Sequence, residues 1–190
     1  FMPVDRAFHI SGFGTVLTGT AMKGSVSEGD DVQIMPSGLA SKVRSLQVHG
    51  ENVEAAYAGQ RIAINIAGTS LDKVKRGDAL TAADCYLASD CIDVLVTVLS
   101  SFSEPVEHWQ RLRLHVGTTD TIARISLLDR ERILPGESAP AQLLPEEEIT
   151  LSHDAHFILR TYSPLRTIAG GRVLLPAGER PKSKKAKTSL

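Results

Sequence analysis

Residues 61–66 read Arg-Ile-Ala-Ile-Asn-Ile, and this period of two constrains what the chain can fold into. Successive side chains of an extended strand point to opposite faces. Ile62, Ile64 and Ile66 therefore share one face, and Arg61, Ala63 and Asn65 the other. The same period recurs at Phe8 and Ile10, at Val32 and Ile34, and at Leu112, Leu114 and Val116. It also sets Ala123 and Ile125 against Ile122 and Arg124, and Phe157 and Leu159 against His156, Ile158 and Arg160. The stretch from Ile92 to Leu99 is rich in Val, Ile and Leu, as a buried strand is. Turn signals such as Glu28-Gly29-Asp30, Arg76-Gly77-Asp78 and Leu134-Pro135-Gly136 break these runs at short intervals. One helix-like stretch stands out, Asn52 to Tyr57. Many short strands between Gly/Pro turns predict an all-β chain of sandwich or barrel type, and the turn spacing favours two consecutive antiparallel β-barrels.

A length of 190 residues accommodates two modest domains. The expected boundary lies near Asp84, giving barrels over 1–84 and 85–178. The basic segment 179–190, with Arg180, Lys182, Lys184, Lys185 and Lys187, reads as a flexible tail or linker. Hydrophobic residues make up 42% and charged residues 23%, a globular rather than a disordered balance. The formal net charge of -1 gives no global attraction to nucleic acid, so any RNA contact must come from a local patch. Every basic residue between Cys85 and Gly178 is arginine, the better residue for bidentate phosphate contact. Codon usage accounts for that bias equally well. Two cysteines, Cys85 and Cys91, match no zinc spacing and read as reduced thiols of a cytoplasmic protein. No apolar run approaches the roughly 20 residues that span a bilayer, so no membrane partner is expected. The chain opens at Phe1 directly into a strand, which reads as a piece of a longer protein.

No motif announces catalysis. Gly12-Phe13-Gly14-Thr15-Val16-Leu17 fails the dinucleotide fingerprint, because Leu17 occupies the third glycine position between two strand segments. Its glycines instead suit a sharp strand bend or a close backbone approach. There is no P-loop and no Gly-x-Ser-x-Gly elbow. The six histidines are scattered, and His153 and His156 fall on opposite strand faces rather than pairing for a metal. The expectation is a chain with no catalytic site and no cofactor of its own.

The first half resembles the second domain of translational GTPases. The blocks that carry this run in order: Asp5 to Thr20, Gly24-Ser25-Val26, Glu28 to Val32, Ala58 to Gly68, and Arg76-Gly77-Asp78. Two details resemble the selenocysteine-specific elongation factors rather than elongation factor Tu. The first strand opens with Asp5-Arg6, and the later strand reads Gly59-Gln60-Arg61 where elongation factor Tu has asparagine in place of the arginine. Trp109-Gln110-Arg111-Leu112, Arg124 to Asp129 and Ser163 to Val173 resemble the third domain of the same factors, with Ala169 standing where a third glycine is common.

The resemblance implies a fragment that binds selenocysteinyl-tRNA for delivery to the ribosome. The aminoacyl 3′ end would lie in the first barrel and the acceptor and T stems on the second. It implies that Asp5, Arg6 and Arg61 line the selenocysteinyl pocket. His49 and Glu51 fall near the segment that meets the terminal adenosine, and Arg111, Arg113 and Arg124 become contacts to the tRNA backbone. In the parent protein a GTPase domain carrying GTP and Mg would precede Phe1, and domains that bind an mRNA hairpin would follow the tail. Read without the resemblance, Asp5 belongs to a solvated ion pair and Arg61 is an exposed residue at a strand start. A competing reading is the barrel pair of another translational GTPase, acting as a protein or ribosome interaction module with no aminoacyl pocket. Convergence of Asp5, Arg6 and Arg61 separates the two.

Overall fold

Ile62, Ile64 and Ile66 are all buried, as their alternation requires, and they pack with Val4, Leu17, Ile34 and Leu46 into the core of one barrel. The structure, a computed structural model, describes residues 1–180. The basic residues Lys182, Lys184, Lys185 and Lys187 lie outside the described residues. The first half comprises β1 (Met2–Ile10), β2 (Gly14–Thr20), β3 (Ser25–Ser27), β4 (Asp31–Met35), β5 (Leu39–Val48), β6 (Glu51–Val53), β7 (Ala55–Tyr57), β8 (Arg61–Ile66) and β9 (Ala79–Ala82). The sheet order β4-β9-β1-β2-β8-β5 closes on itself because β5 also pairs with β4, and β6 adds to β5. All these pairings are antiparallel.

The second half comprises β10 (Ile92–Val98), β11 (Val106–Glu107), β12 (Arg111–Val116), β13 (Thr119–Leu127), β14 (Arg132–Ile133), β15 (Ser138–Pro145), β16 (His156–Arg160) and β17 (Thr167–Leu175). Six of these close a second antiparallel barrel in the order β10-β15-β13-β12-β16-β17. Its core draws on Val94, Val96, Leu112, Leu114, Ile125, Leu143, Phe157 and Leu159. Closure of a sheet on itself removes the exposed edges that would otherwise template aggregation.

Two glycines make close backbone approach possible. A Cβ on Gly171 would lie 1.9 Å from the Leu95 carbonyl oxygen, at the β10–β17 seam. A Cβ on Gly19 would lie 2.2 Å from the Pro3 carbonyl oxygen, between β1 and β2.

Two sequence expectations change. Residues 52–57 are not helical: Asn52 and Val53 pair with β5, and Ala55–Tyr57 pair with β3. Strand pairing overrides the local preference of the two alanines. The one helical turn among the described residues is a 3-10 turn at Leu71–Lys73. The Gly12–Gly14 segment is the turn of the β1–β2 hairpin rather than a bend within a strand. Gly12 and Gly14 both take positive φ there, and the Phe13 N–H donates to the Ile10 carbonyl at 3.0 Å.

The barrels meet through a few polar links. Thr119 Oγ1 donates to the Gly77 carbonyl at 3.0 Å, Lys75 pairs with Glu147 at 3.0 Å, and Lys23 Nζ donates to the His153 carbonyl at 2.8 Å. Glu179 and Arg180, read from sequence as the start of the tail, are fastened to the second barrel. Gln142 Nε2 donates to the Glu179 carbonyl at 3.0 Å, and Arg180 pairs with Asp90. Cys91 is buried and Cys85 exposed, both as free thiols.

Candidate functional site

A β-bulge builds the centre of the site. Val4 faces Gly19 and Arg6 faces Thr18, so Asp5 is the extra residue of β1. A bulge re-aims the side chains at its two positions. Asp5 thereby reaches across β2 to the first residue of β8. Its Oδ1 accepts from the Thr18 hydroxyl at 2.6 Å, and its Oδ2 accepts from Arg61 Nη1 at 2.6 Å. Burial alone would raise the Asp5 pKa. The hydrogen bonds from Arg61 and Thr18, with the charges of Arg61 and Arg6, outweigh it and hold the carboxyl below its ordinary value. The same bond raises Arg61 further.

Asp5 and Arg61 are thus in direct contact, and Arg6 is close enough for its charge to act on Asp5. The pair remains open to water, with side-chain exposures of 21% for Asp5 and 55% for Arg61. Arg61 lines a depression of about 190 Å³ on the outer barrel face, together with Thr18, Gln47, His49, Gly50 and Ala63. His49 and Gly50 form the two-residue β5–β6 turn, both at positive φ, as a type I′ hairpin requires. His49 therefore overhangs the Arg61 depression. Glu51 begins β6 and is exposed, and it is not among the residues lining that depression.

A second depression of about 350 Å³ adjoins the first and shares Gln47 and Ala63 with it. Phe8, Ile10, Phe13 and Val16 supply its apolar wall. Asn65 also lines it: Asn65 Nδ2 donates to the Phe13 carbonyl at 2.8 Å, while Asn65 Oδ1 is buried without a partner. Sequence reasoning passed over this depression and over Thr18. The available signal was the outward set Arg61, Ala63 and Asn65, which puts an amide on the same strand face as the arginine.

On the second barrel, Arg111, Arg113 and Arg124 lie within β12 and β13, and Arg111 faces Arg124 across the two strands. Arg113 also faces Arg160 on β16. Directly opposed residues share a face, so these four arginines stand on one outer surface. Each of the three expected contact residues is held by the protein itself. Arg111 makes a bidentate pair with Glu146 at 2.7 and 2.9 Å, and Arg113 one with Asp120 at 2.6 and 2.9 Å. Arg124 Nη1 donates to the Trp109 carbonyl at 3.2 Å. The hydrogen bond from Arg111 holds Glu146 below its ordinary pKa despite some burial, with the charges of Arg111 and Arg124 adding to it. The Arg111 guanidinium also stands 5.6 Å from the Tyr162 ring centroid.

Among the described residues, no cluster of three or more His, Cys, Asp or Glu could hold a metal ion, and no helix is long and apolar enough to cross a membrane.

Comparison with known proteins follows the same division. Residues 14–81 match the family model of elongation factor Tu domain 2, and residues 93–180 match that of the selenocysteine-specific elongation factor β-barrel domain. The selenocysteine-specific elongation factor of Desulfomicrobium baculatum is 39% identical over 94% of the chain and 28% of its own length. That of Escherichia coli strain K12 is 33% identical over 92% of the chain and 26% of its own length. The chain belongs to the family of selenocysteine-specific elongation factors. Elongation factor Tu 2 of Streptomyces avermitilis is more distant, at 27% identity over 90% of the chain and 45% of its own length. The chain thus spans about a quarter of the selenocysteine-specific factors it matches. The first barrel carries the match to elongation factor Tu domain 2, and the second the match to the selenocysteine-specific β-barrel domain.

Proposed function

We propose that the chain is the tRNA-binding portion of a selenocysteine-specific elongation factor. In this reading the first barrel, 1–84, holds the selenocysteinyl 3′ end, and the second, 85–178, holds the acceptor and T stems. The observation that carries it is the Asp5–Arg61 contact at the mouth of a depression, with Arg6 beside it. A selenol is more acidic than a thiol, whose ordinary pKa is about 8.5, and at neutral pH it is an anion. A half-exposed guanidinium favours that anion over the neutral hydroxyl of serine. Tight closure over the seryl group would leave Arg61 facing an uncharged partner, and that loss discriminates against serine. Asp5 orients Arg61 and lowers its appetite for other anions.

The neighbouring depression supports the same reading. It abuts the Arg61 depression, as the base of a 3′-terminal nucleotide abuts the aminoacyl group on its ribose. Phe8, Ile10 and Phe13 offer an apolar platform for an adenine ring, and Asn65 Oδ1 offers an acceptor for its exocyclic amine. His49, which lines the Arg61 depression, and Glu51, which begins β6 beside it, are the further contacts proposed for the terminal adenosine. Arg111, Arg113 and Arg124 meet the tRNA backbone once phosphates exchange for Glu146 and Asp120.

The parent factor would be a cytoplasmic GTPase, with GTP and Mg in a separate domain, the ribosome as a partner, and an mRNA hairpin bound through further domains. The test is the affinity of the GTP-bound full-length factor for selenocysteinyl-tRNA and seryl-tRNA, with and without Arg61→Ala. The expected result is a collapse of the preference for selenocysteine. An unchanged preference would remove Arg61 from the pocket and favour an interaction module.

A further inference from the structure

Five turns of this chain are built to one pattern. They are Ser27–Asp30, Tyr57–Gln60, Lys75–Asp78, Glu107–Gln110 and Leu134–Glu137. In each, the backbone N–H of the fourth residue donates to the carbonyl of the first, at 3.0 to 3.3 Å. In each, the fourth side chain, a carboxylate or amide, accepts from the N–H of the first, at 2.7 to 3.1 Å. The third residue takes positive φ every time: Gly29, Gly59, Gly77 and Gly136 lie between 85° and 99°. Such a turn calls for glycine there, because a Cβ is strained at positive φ. In the fourth turn the position is held by Trp109, at φ 68°.

The substitution is costly and is not explained by packing. The other non-glycine residues at positive φ are His49, Asp84 and Asp154, types that enter this region more readily than a bulky aromatic. Trp109 is 49% exposed, so its ring is not there to fill a core. Its immediate surroundings are cationic and aromatic. Arg124 donates to its carbonyl, Arg111 stands opposite Arg124, and Tyr162 lies beside Arg111. The His108 ring is tilted against it at 6.0 Å.

We propose that Trp109 is a contact residue for double-stranded RNA, packing against the ribose edge of an A-form stem while Arg111 and Arg124 engage the flanking phosphates. This rests on the reading that the arginine face of the second barrel meets RNA. A-form stems display their sugars across a wide, shallow minor groove, and 2′-hydroxyls distinguish them from DNA. A rigid aromatic ring projecting from a turn reaches such a groove with little loss of conformational freedom. Strained residues cluster at functional sites, and a glycine site occupied by tryptophan is such a residue.

Trp109 is the chain's single tryptophan, so intrinsic fluorescence reports this turn alone. The experiment titrates the chain with an RNA hairpin stem and with a DNA hairpin of the same sequence. The expected result is a saturable fluorescence change with RNA and a weaker response with DNA. Trp109→Gly is expected to weaken RNA binding by about fivefold or more, and Trp109→Phe to retain most of it. The thermal midpoint of Trp109→Gly should hold or rise, since glycine relieves the strained φ. Wild-type RNA affinity in Trp109→Gly would overturn the proposal, and with a raised midpoint would point to a protein partner instead. A lowered midpoint with unchanged affinity would make the residue structural. Arg111→Ala and Arg124→Ala run in parallel. If they lose RNA binding and Trp109→Gly does not, the proposal alone fails. If none of the three changes binding, the reading of this face fails with it.

Discussion

Asp5 is held by two donors, and its ionisation ties the site to pH. Its folded pKa lies below the ordinary 3.8, so the charged form is the one the fold favours. The stabilisation is therefore complete above the ordinary carboxylate range and disappears as the pH falls through the lowered value. Asp5→Asn is expected to lose this contribution at neutral pH and to converge on the wild type in acid below pH 3.8. Urea unfolding at a series of pH values reads the difference. The effect is small, because the pair is open to solvent and salt screens it. Its larger consequence is functional. In the proposed reading Arg61 then loses the contact that orients it toward the aminoacyl group, so Asp5→Asn should narrow the discrimination between selenocysteinyl- and seryl-tRNA without abolishing binding.

At the scale of the element, β17 shows why small residues recur at the barrel seam. Gly171 lies where a Cβ would meet both the Leu95 carbonyl oxygen at 1.9 Å and Phe157 Cζ at 2.9 Å. Gly171→Ala must push β10 and β16 apart, and a loss of about 1–3 kcal/mol is expected, measured as a lower urea midpoint at unchanged slope. Ala169, two residues earlier in β17, is buried in the core with its methyl in place. Much of this architecture was legible in the sequence. The alternation at Ile62, Ile64 and Ile66 and at Leu112, Leu114 and Val116 identifies inward faces directly. The β1–β2 hairpin was harder to read. Phe8 and Ile10 alternate like core residues, yet they stand 38% and 41% exposed, because this end of the hairpin extends past the core. The bulge at Asp5 left no periodic trace, as one added residue merely shifts the register. The strand pairs at residues 51–57 were masked by two alanines and by their short length.

At the scale of the whole molecule, a net charge of -1 leaves RNA binding to local geometry. The arginine face of the second barrel carries its own counter-charges, since Glu146 and Asp120 occupy two guanidinium forks. In the proposed reading these carboxylates compete with phosphate and restrain nonspecific binding. Glu146→Gln is expected to tighten RNA-hairpin binding and to steepen its dependence on salt by the release of about one more counterion. Binding titrations between low and moderate salt measure both. In the proposed reading the first barrel adds chemistry to this charge-based affinity, because Arg61 and its neighbours recognise a selenolate. The direct measurement is the affinity of the full-length, GTP-bound factor for selenocysteinyl- and seryl-tRNA as the pH is lowered through the ionisation of the selenol. Asp5 stays ionised across that window, and running the titration in His49→Gln as well removes the imidazole that lines the Arg61 depression. The preference for selenocysteine is expected to fall as the selenol gains its proton, while the affinity for seryl-tRNA stays level. A preference that holds at every pH would contradict recognition of the anion.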